Sequence, residues 1–213
     1  TCALAIWVNL FAEVSQLTGQ EVELGDLFTK LYKKSMEADE DVGGLAACNY
    51  YSGEPITGFD EGRPLFVRMP NSKFNLANFM RTHIYSALAT LKIGMDILTQ
   101  KENVKVDYIL GHGGFFKTEK VGQQLMADAI TVPVAVMETA GEGGPWGMAI
   151  LASYSINKKQ GQSLETYLDQ EVFAAEEMKT VEPSTEGMEQ FSNYLERYQA
   201  VLKVEQAAID ALL

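Results

Sequence analysis

Val104-Lys-Val-Asp-Tyr-Ile-Leu-Gly-His-Gly-Gly114 is the stretch whose reading decides the fold. Val104, Val106, Tyr108 and Leu110 alternate with Lys105 and Asp107, the period-two pattern of a strand. Gly111, Gly113 and Gly114 then crowd a turn, where glycine permits positive φ and close approach of the backbone to a ligand. Glu119 to Ile130 follows as a helix, with Val121, Leu125 and Ala129 on one face and Thr118 placed to cap its first turn. A strand that runs through glycines into a helix start can present backbone N–H groups to phosphate or sugar hydroxyls. The same spacing also belongs to an ordinary strand-to-helix turn. It lacks the third glycine of the dinucleotide fingerprint and the Gly-Lys-Ser/Thr of a P-loop.

The elements around that stretch make an α/β chain rich in helix. Upstream, Ala3 to Leu17 reads as a helix with Ile6, Leu10, Val14 and Leu17 on its core face, closed by Thr18-Gly19. Asp26 caps a second helix from Leu27 to Met36, with Leu27, Phe28, Leu31 and Tyr32 inward. Thr57 to Pro70 is broken by Gly58, Gly62, Pro64 and Pro70, with a short strand at Phe66–Met69. Asn75 to Leu98 is a long helix whose core stripe runs Leu76, Met80, Ile84, Ala87, Leu91, Met95 and Leu98. Downstream, Val132 to Met137 reads as a strand and Gly143 to Ala152 leads into a helix of small residues. Pro145 suits its first turn, and Gly147, Ala149 and Ala152 would let it pack closely. Trp146 reads as packing. Ser163 to Gln170 is a short helix, Glu171 to Pro183 is acidic and irregular, and the last helix starts near Glu186. Its stripe is Met188, Phe191, Leu195, Tyr198, Leu202, Ile209 and Leu212, too short a seam for a coiled coil.

Composition removes several function classes. The 213 residues suit one domain or one lobe of a larger protein. Seventeen basic against twenty-nine acidic side chains leave −12, which argues against nucleic acid and against an anionic membrane surface. ATP is not excluded, because backbone amides and Mg²⁺ can hold phosphates without a basic surface. The longest apolar run, Ala3 to Val8, is too short to span a bilayer, and no signal peptide is indicated. Cys2 and Cys48 have no metal or redox spacing and read as reduced thiols of a cytoplasmic protein. His83 and His112 are too few for a histidine-based zinc site, and His83 reads as a packed helix residue.

The block from the glycine turn to Ala152 resembles the C-terminal domain of the FGGY family of carbohydrate kinases. Gly113-Gly114, Met126-Ala127-Asp128, Val132-Pro133-Val134 and Pro145-Trp146-Gly147-Met148-Ala149 fill the places of that family's successive motifs. The spacing is most similar to xylulokinases and ribulokinases, and Asn49-Tyr-Tyr-Ser-Gly-Glu-Pro55 resembles a Tyr-Leu-Ser-Gly-Glu-Arg segment of xylulokinases. The resemblance implies an actin-like, ribonuclease-H-like ATPase domain over residues 1–213, truncated at its N-terminal strands. It also implies an N-terminal sugar-binding domain as partner, ATP and Mg²⁺ as cofactors, and a ketose such as D-xylulose or L-ribulose as acceptor. A homodimer stays open. The family's catalytic Asp and Gly-Thr phosphate turn find no counterpart here and are expected upstream of Thr1, so the chain alone is expected to be inactive; Asp107 and Asp128 lie in the wrong motif context.

The resemblance places Gly113 and Gly114 under the nucleotide, with Gly111 shaping the turn and Glu119 facing the adenine where ribulokinase-like sequences carry Asn. A carboxylate accepts from the adenine amino group but cannot donate to a ring nitrogen. Glu119 reads equally as a complement to the helix dipole. Lys117 is within reach of a phosphate and reads equally as a solvated loop lysine. Glu54 and Arg63 fall near the family's interdomain cleft, or form a surface salt bridge or cap. Arg81 matches an Arg common in the family, whereas the Glu that follows it there is replaced by Ser86 or Ala87. Two readings outside catalysis remain: a nucleotide- or sugar-binding module without a base, and a structural interaction domain.

Overall fold

The computed structural model describes residues 2–137, 143–174 and 178–212. Helices α1 (Cys2–Leu17) and α2 (Leu24–Ser35) lead to a two-stranded antiparallel ribbon, β1 (Ala46–Cys48) and β2 (Leu65–Val67). The long helix α3 (Leu76–Asp96) follows and widens into a π-helical turn over Ile97–Lys101. Then come β3 (Ile109–Gly111), α4 (Val121–Ile130), β4 (Val134–Met137), α5 (Gly143–Asn157), α6 (Leu164–Tyr167), β5 (Met178–Val181) and α7 (Thr185–Ala211). Strand β4 is central in the second sheet. It pairs in parallel with β3, Ile109 opposite Val134 and Gly111 opposite Val136, and antiparallel with β5, Val134 opposite Val181.

The expected strand over Val104–Leu110 is much shorter than its alternation suggested. Only Ile109, Leu110 and Gly111 pair, and Val104 and Tyr108 stay about half exposed. Alternation marks an extended chain, but a strand also needs a neighbour, and β4 offers one only opposite 109–111. The β4 reading was nearer, with Val134 and Ala135 fully buried.

Helix α3 is the hub, and α1, α2, α4, α7 and β1 all pack on it. It is therefore buried on nearly every side from Ala77 to Ser86, polar residues included. The single core stripe expected for it fails: Met80, Ile84 and Met95 are buried, whereas Leu76, Leu91 and Leu98 are 37–45% exposed. Buried polar groups persist only when partnered. Asn78 binds the Asp39 carboxylate and the Lys73 carbonyl at 2.7 and 2.9 Å. Arg81 donates to the Ser35 carbonyl and the Tyr85 hydroxyl, both at 3.0 Å, a scaffold role rather than a cleft one. His83 Nδ1 meets Asn49 Oδ1 at 3.1 Å inside rings from Trp7, Phe66 and Phe79, and burial depresses its pKa to about 4.

Helix α1 presents the opposite face from the one expected. Leu4, Val8 and Ala12 are buried, and Trp7 and Phe11 pack edge-on against Phe79 with centroids 4.8 and 6.1 Å away. Ile6, Leu10, Val14 and Leu17 are exposed. Both faces are apolar, and the larger ring contacts decide between them. In α2 the cap is Glu23, not Asp26: its carboxylate accepts from the Asp26 N–H at 2.7 Å, so the helix starts three residues before the expected Leu27.

Helix α7 closes the core with Phe191, Tyr194, Tyr198 and Val201, a stripe shifted from the expected one by including Tyr194 and Val201. Its first turn is fixed from α4: the Asp128 carboxylate accepts from the Ser184 N–H at 2.7 Å and from Gln124 at 2.9 Å. The Tyr198 hydroxyl donates to that of Tyr50 at 2.8 Å, and both meet Thr90. Buried Glu205 accepts the Arg63 N–H at 2.5 Å, while Arg63 also donates to the Leu212 carbonyl and pairs with Glu61. Glu54 accepts from its own turn at Ile56. Arg63 and Glu54 thus tie loop to helix and loop to itself.

Candidate nucleotide site

In open α/β sheets ligands collect beyond the carboxyl ends of parallel strands. Here β3 ends at Gly111 and the bend His112-Gly113-Gly114 begins. Gly111 is buried, and a Cβ there would overlap the Phe116 ring, so its part is close packing under the bend. Gly113 has φ 100° and ψ −178°, a conformation closed to residues with a side chain. Among the described residues a Cβ on Gly113 or Gly114 would meet nothing within 4 Å, so the backbone of the bend faces open space there.

That space on one side is a cavity of about 570 Å³, within the range of small-molecule sites. His112 and Gly113 form one wall. Trp146, Gly147, Ile150 and Leu151 of α5 form the other, and Leu164, Leu168 and Phe173 close the end. Trp146 stacks at a tilt on Phe173 with centroids 5.5 Å apart. The packing role read for Trp146 is thus met at the cavity wall. A Cβ on Gly147 would meet nothing within 4 Å among the described residues, and Ala149 and Ala152 are exposed, so the close packing expected of this helix is not seen there; the missing side chain widens the cavity instead. Apolar and aromatic walls beside a glycine bend suit the flat face of a heteroaromatic base with a polar edge at the bend. Among the described residues no carboxylate or ammonium lines this cavity.

The five residues expected to hold a nucleotide do not converge. Gly113 faces the apolar cavity, Gly111 lies beneath the bend, and Gly114 and Lys117 border a second cavity on its other side. Lys117 and Glu119 border a third, of about 340 Å³, with Lys120, Gln123 and Lys179. Thr118 does not cap α4. That helix begins at Val121, two residues later than expected, after Lys120 in a left-handed conformation (φ 64°), whose side chain makes no capping bond. Asp107 pairs with Lys105 at 3.2 Å in solvent. Leu164, Leu168 and Phe173 carry no signal of their role in the sequence, since they sit in a segment read only as a short helix and an acidic stretch. The stretch Glu138–Glu142 of the family-like block lies outside the described residues.

The model of the FGGY family of carbohydrate kinases, C-terminal domain, matches residues 2–156. The chain belongs to the FGGY family. Its fold is that of the family's actin-like ATPase domain, helix-rich as expected. A xylulose kinase from Lactobacillus acidophilus in a ligand-bound crystal structure superposes with a TM-score of 0.64 at 20% identity, over 83% of this chain and 34% of that one. A xyloylose kinase from Brucella ovis gives 0.66 at 16% identity, over 100% and 39%. A glycerol kinase from Plasmodium falciparum, solved with ADP, gives 0.60 at 16%, over 82% and 34%. The chain thus spans between 34% and 39% of the length of these structures. No curated protein matches it in sequence. Among the described residues no helix is long and apolar enough to cross a membrane.

Proposed function

We propose that this chain is the nucleotide-side domain of an ATP-dependent sugar kinase, with the base of ATP in the cavity between Gly113 and Trp146. The whole enzyme would move the γ-phosphoryl group to a ketose such as D-xylulose or L-ribulose, in the cytoplasm, together with an N-terminal sugar-binding domain. The observation that carries this reading is a glycine bend, inside the segment the family model matches, whose backbone is open to a cavity of about 570 Å³.

Within this chain the chemistry is binding and orientation. Trp146, Ile150 and Leu168 exclude water from a base, and the bend supplies N–H donors that need no reorganisation when the ligand arrives. Oriented this way, the ribose and phosphates leave toward the open side of Gly113 and Gly114. ATP supplies the transferable phosphoryl group when bound. Among the described residues no group of three His, Cys, Asp or Glu can hold a metal, so Mg²⁺ is given no protein ligand and no step is assigned to it. The base that activates the sugar hydroxyl would lie outside this cavity, and catalysis would need closure of a second domain over it.

Calorimetric titration of ADP into the 213-residue chain tests the reading. The wild type is expected to bind, and Gly113→Val to weaken binding at least tenfold, about 1.4 kcal/mol, with the circular dichroism of the fold retained. A folded wild-type chain that shows no saturable binding by about 5 mM ADP, weaker than any useful nucleotide site, overturns it.

A further inference from the structure

One cavity takes no part in the nucleotide reading. It lies between α1, β2 and the start of α3, has a volume of about 580 Å³ and shares no lining residue with the space at Gly113. Its floor is aromatic: Trp7 and Phe11 come from α1, Phe66 from β2, Phe79 from α3 and Phe74 from the turn before α3. The rings form one array, with the Phe66 centroid 5.2 Å from that of Phe79 and 5.4 Å from that of Phe74. Leu10 and Leu76 form the lip and are 45% and 40% exposed. Apolar surface gathered in one open place, rather than scattered, marks a site of contact.

Arg68 sets this cavity apart. The chain has four arginines. Three of them donate to oxygen: Arg63 to the Leu212 carbonyl at 2.8 Å, Arg81 to that of Ser35 at 3.0 Å and Arg197 to that of Asp41 at 3.0 Å. Arg68, on the cavity wall, has no oxygen acceptor among the described residues, and its guanidinium lies over the Phe74 ring, 5.7 Å from the centroid. Asn75 lines the same wall. Its Oδ1 is taken by the Asn78 N–H at 2.9 Å, so its remaining offer is the amide N–H groups. Among the described residues no acidic side chain lines this cavity.

These facts narrow the ligand. Aromatic faces alone would suit a cation, but Arg68 already covers the Phe74 face and repels a second positive charge. His83 lies behind Phe66 and Phe79, and burial depresses its pKa to about 4, so it is uncharged near neutrality and adds no second cation. One unsatisfied cation offsets one negative charge, and a planar guanidinium meets a carboxylate through two parallel bonds. The rings are left to hold a flat apolar body.

We propose that this cavity binds a small aromatic molecule carrying a single carboxylate, with Arg68 and Asn75 on the carboxylate and Trp7, Phe66 and Phe79 against its body. The site is independent of the nucleotide reading.

The probes are 2-naphthoate and its uncharged counterpart 2-naphthamide, each titrated into the 213-residue chain and followed by nuclear magnetic resonance. The chain has two tryptophans, Trp7 in this cavity and Trp146 in the other, so their indole N–H signals report the two spaces separately. Naphthoate is expected to move the Trp7 signal saturably, and to bind there at least tenfold more tightly than naphthamide. Arg68→Gln should abolish that preference without lowering the melting temperature, because the side chain is exposed and bonds no oxygen among the described residues. Arg68→Lys, which keeps the charge and loses the fork, should fall between the two. A folded wild-type chain with no saturable shift of Trp7 by about 5 mM naphthoate overturns the assignment. So do equal affinities for the two probes, a preference that Arg68→Gln leaves intact, or a shift confined to Trp146. Should naphthoate fail to bind a chain that sediments as a dimer, and Leu10→Glu make that chain monomeric, a second copy is the occupant instead.

Discussion

The α3–α7 half of the molecule and the α5–α6 flank are built on opposite terms. In the first, Tyr85 and Phe191 meet edge to face at 5.0 Å, and Tyr194 donates to the Thr82 carbonyl at 3.1 Å. Side chains there are buried on several sides at once. In the second, Met148 is 69% exposed and Ile156 is 83% exposed, and the described contacts are local ones, such as Ser153 with Tyr167 at 2.8 Å. The apolar cavity has its rigid wall at the glycine bend and its thin wall on α5. Free energy of folding and affinity for ligand are therefore carried by different residues, which is how a lobe can move a ligand wall without melting.

The largest effect should come from the dense half. Phe191→Ala removes a ring that is 1% exposed and packed on Tyr85 and Tyr194, and is expected to cost about 3–5 kcal/mol by urea denaturation. A loss under about 1 kcal/mol would break the contrast. Next is a pH effect from the same half. Folded His83 titrates near 4, against 6.5 when solvated. As pH falls the unfolded chain takes up this proton first, so the stability His83 contributes is complete above 6.5 and fades toward 4. The loss is on the order of 3 kcal/mol. His83→Gln should flatten the decline between pH 6.5 and 4 in denaturation midpoints. Smallest in stability should be Trp146→Ala on the thin flank, within about 1 kcal/mol, while ADP affinity drops about tenfold. If that variant instead unfolds the chain, α5 belongs to the core and the contrast is wrong.

Legibility in the sequence followed how many sides each element packs on. The glycine bend, β4 and the existence of α3 and α7 could be read because each follows from local geometry or a long periodic pattern. Which face of α1 turns inward could not, since Ile6-Leu10-Val14 and Leu4-Val8-Ala12 are both apolar and the choice is made by Phe79, far away in sequence. The stripe on α3 misled for a related reason. One-face reasoning assumes solvent on the other face, and this helix has protein there, so Asn78, Arg81 and His83 are interior. The cavity was half legible: its glycines announce themselves, whereas Leu168 and Phe173 arrive from a segment with no periodic signal and gain meaning only beside Trp146. Lys117 and Glu119 follow the bend closely in sequence, yet they border other spaces.

Helix α7 lies wholly beyond residue 156, where the family model stops matching, yet Phe191, Tyr194 and Tyr198 sit at the centre of the core. A polypeptide trimmed to the recognisable segment would leave Tyr85, Thr82 and Tyr50 facing water and would strip Asp128 of the helix start it caps. The unit that homology outlines is smaller than the unit that folds, and anyone expressing the lobe should take its limit from the tyrosines of α7.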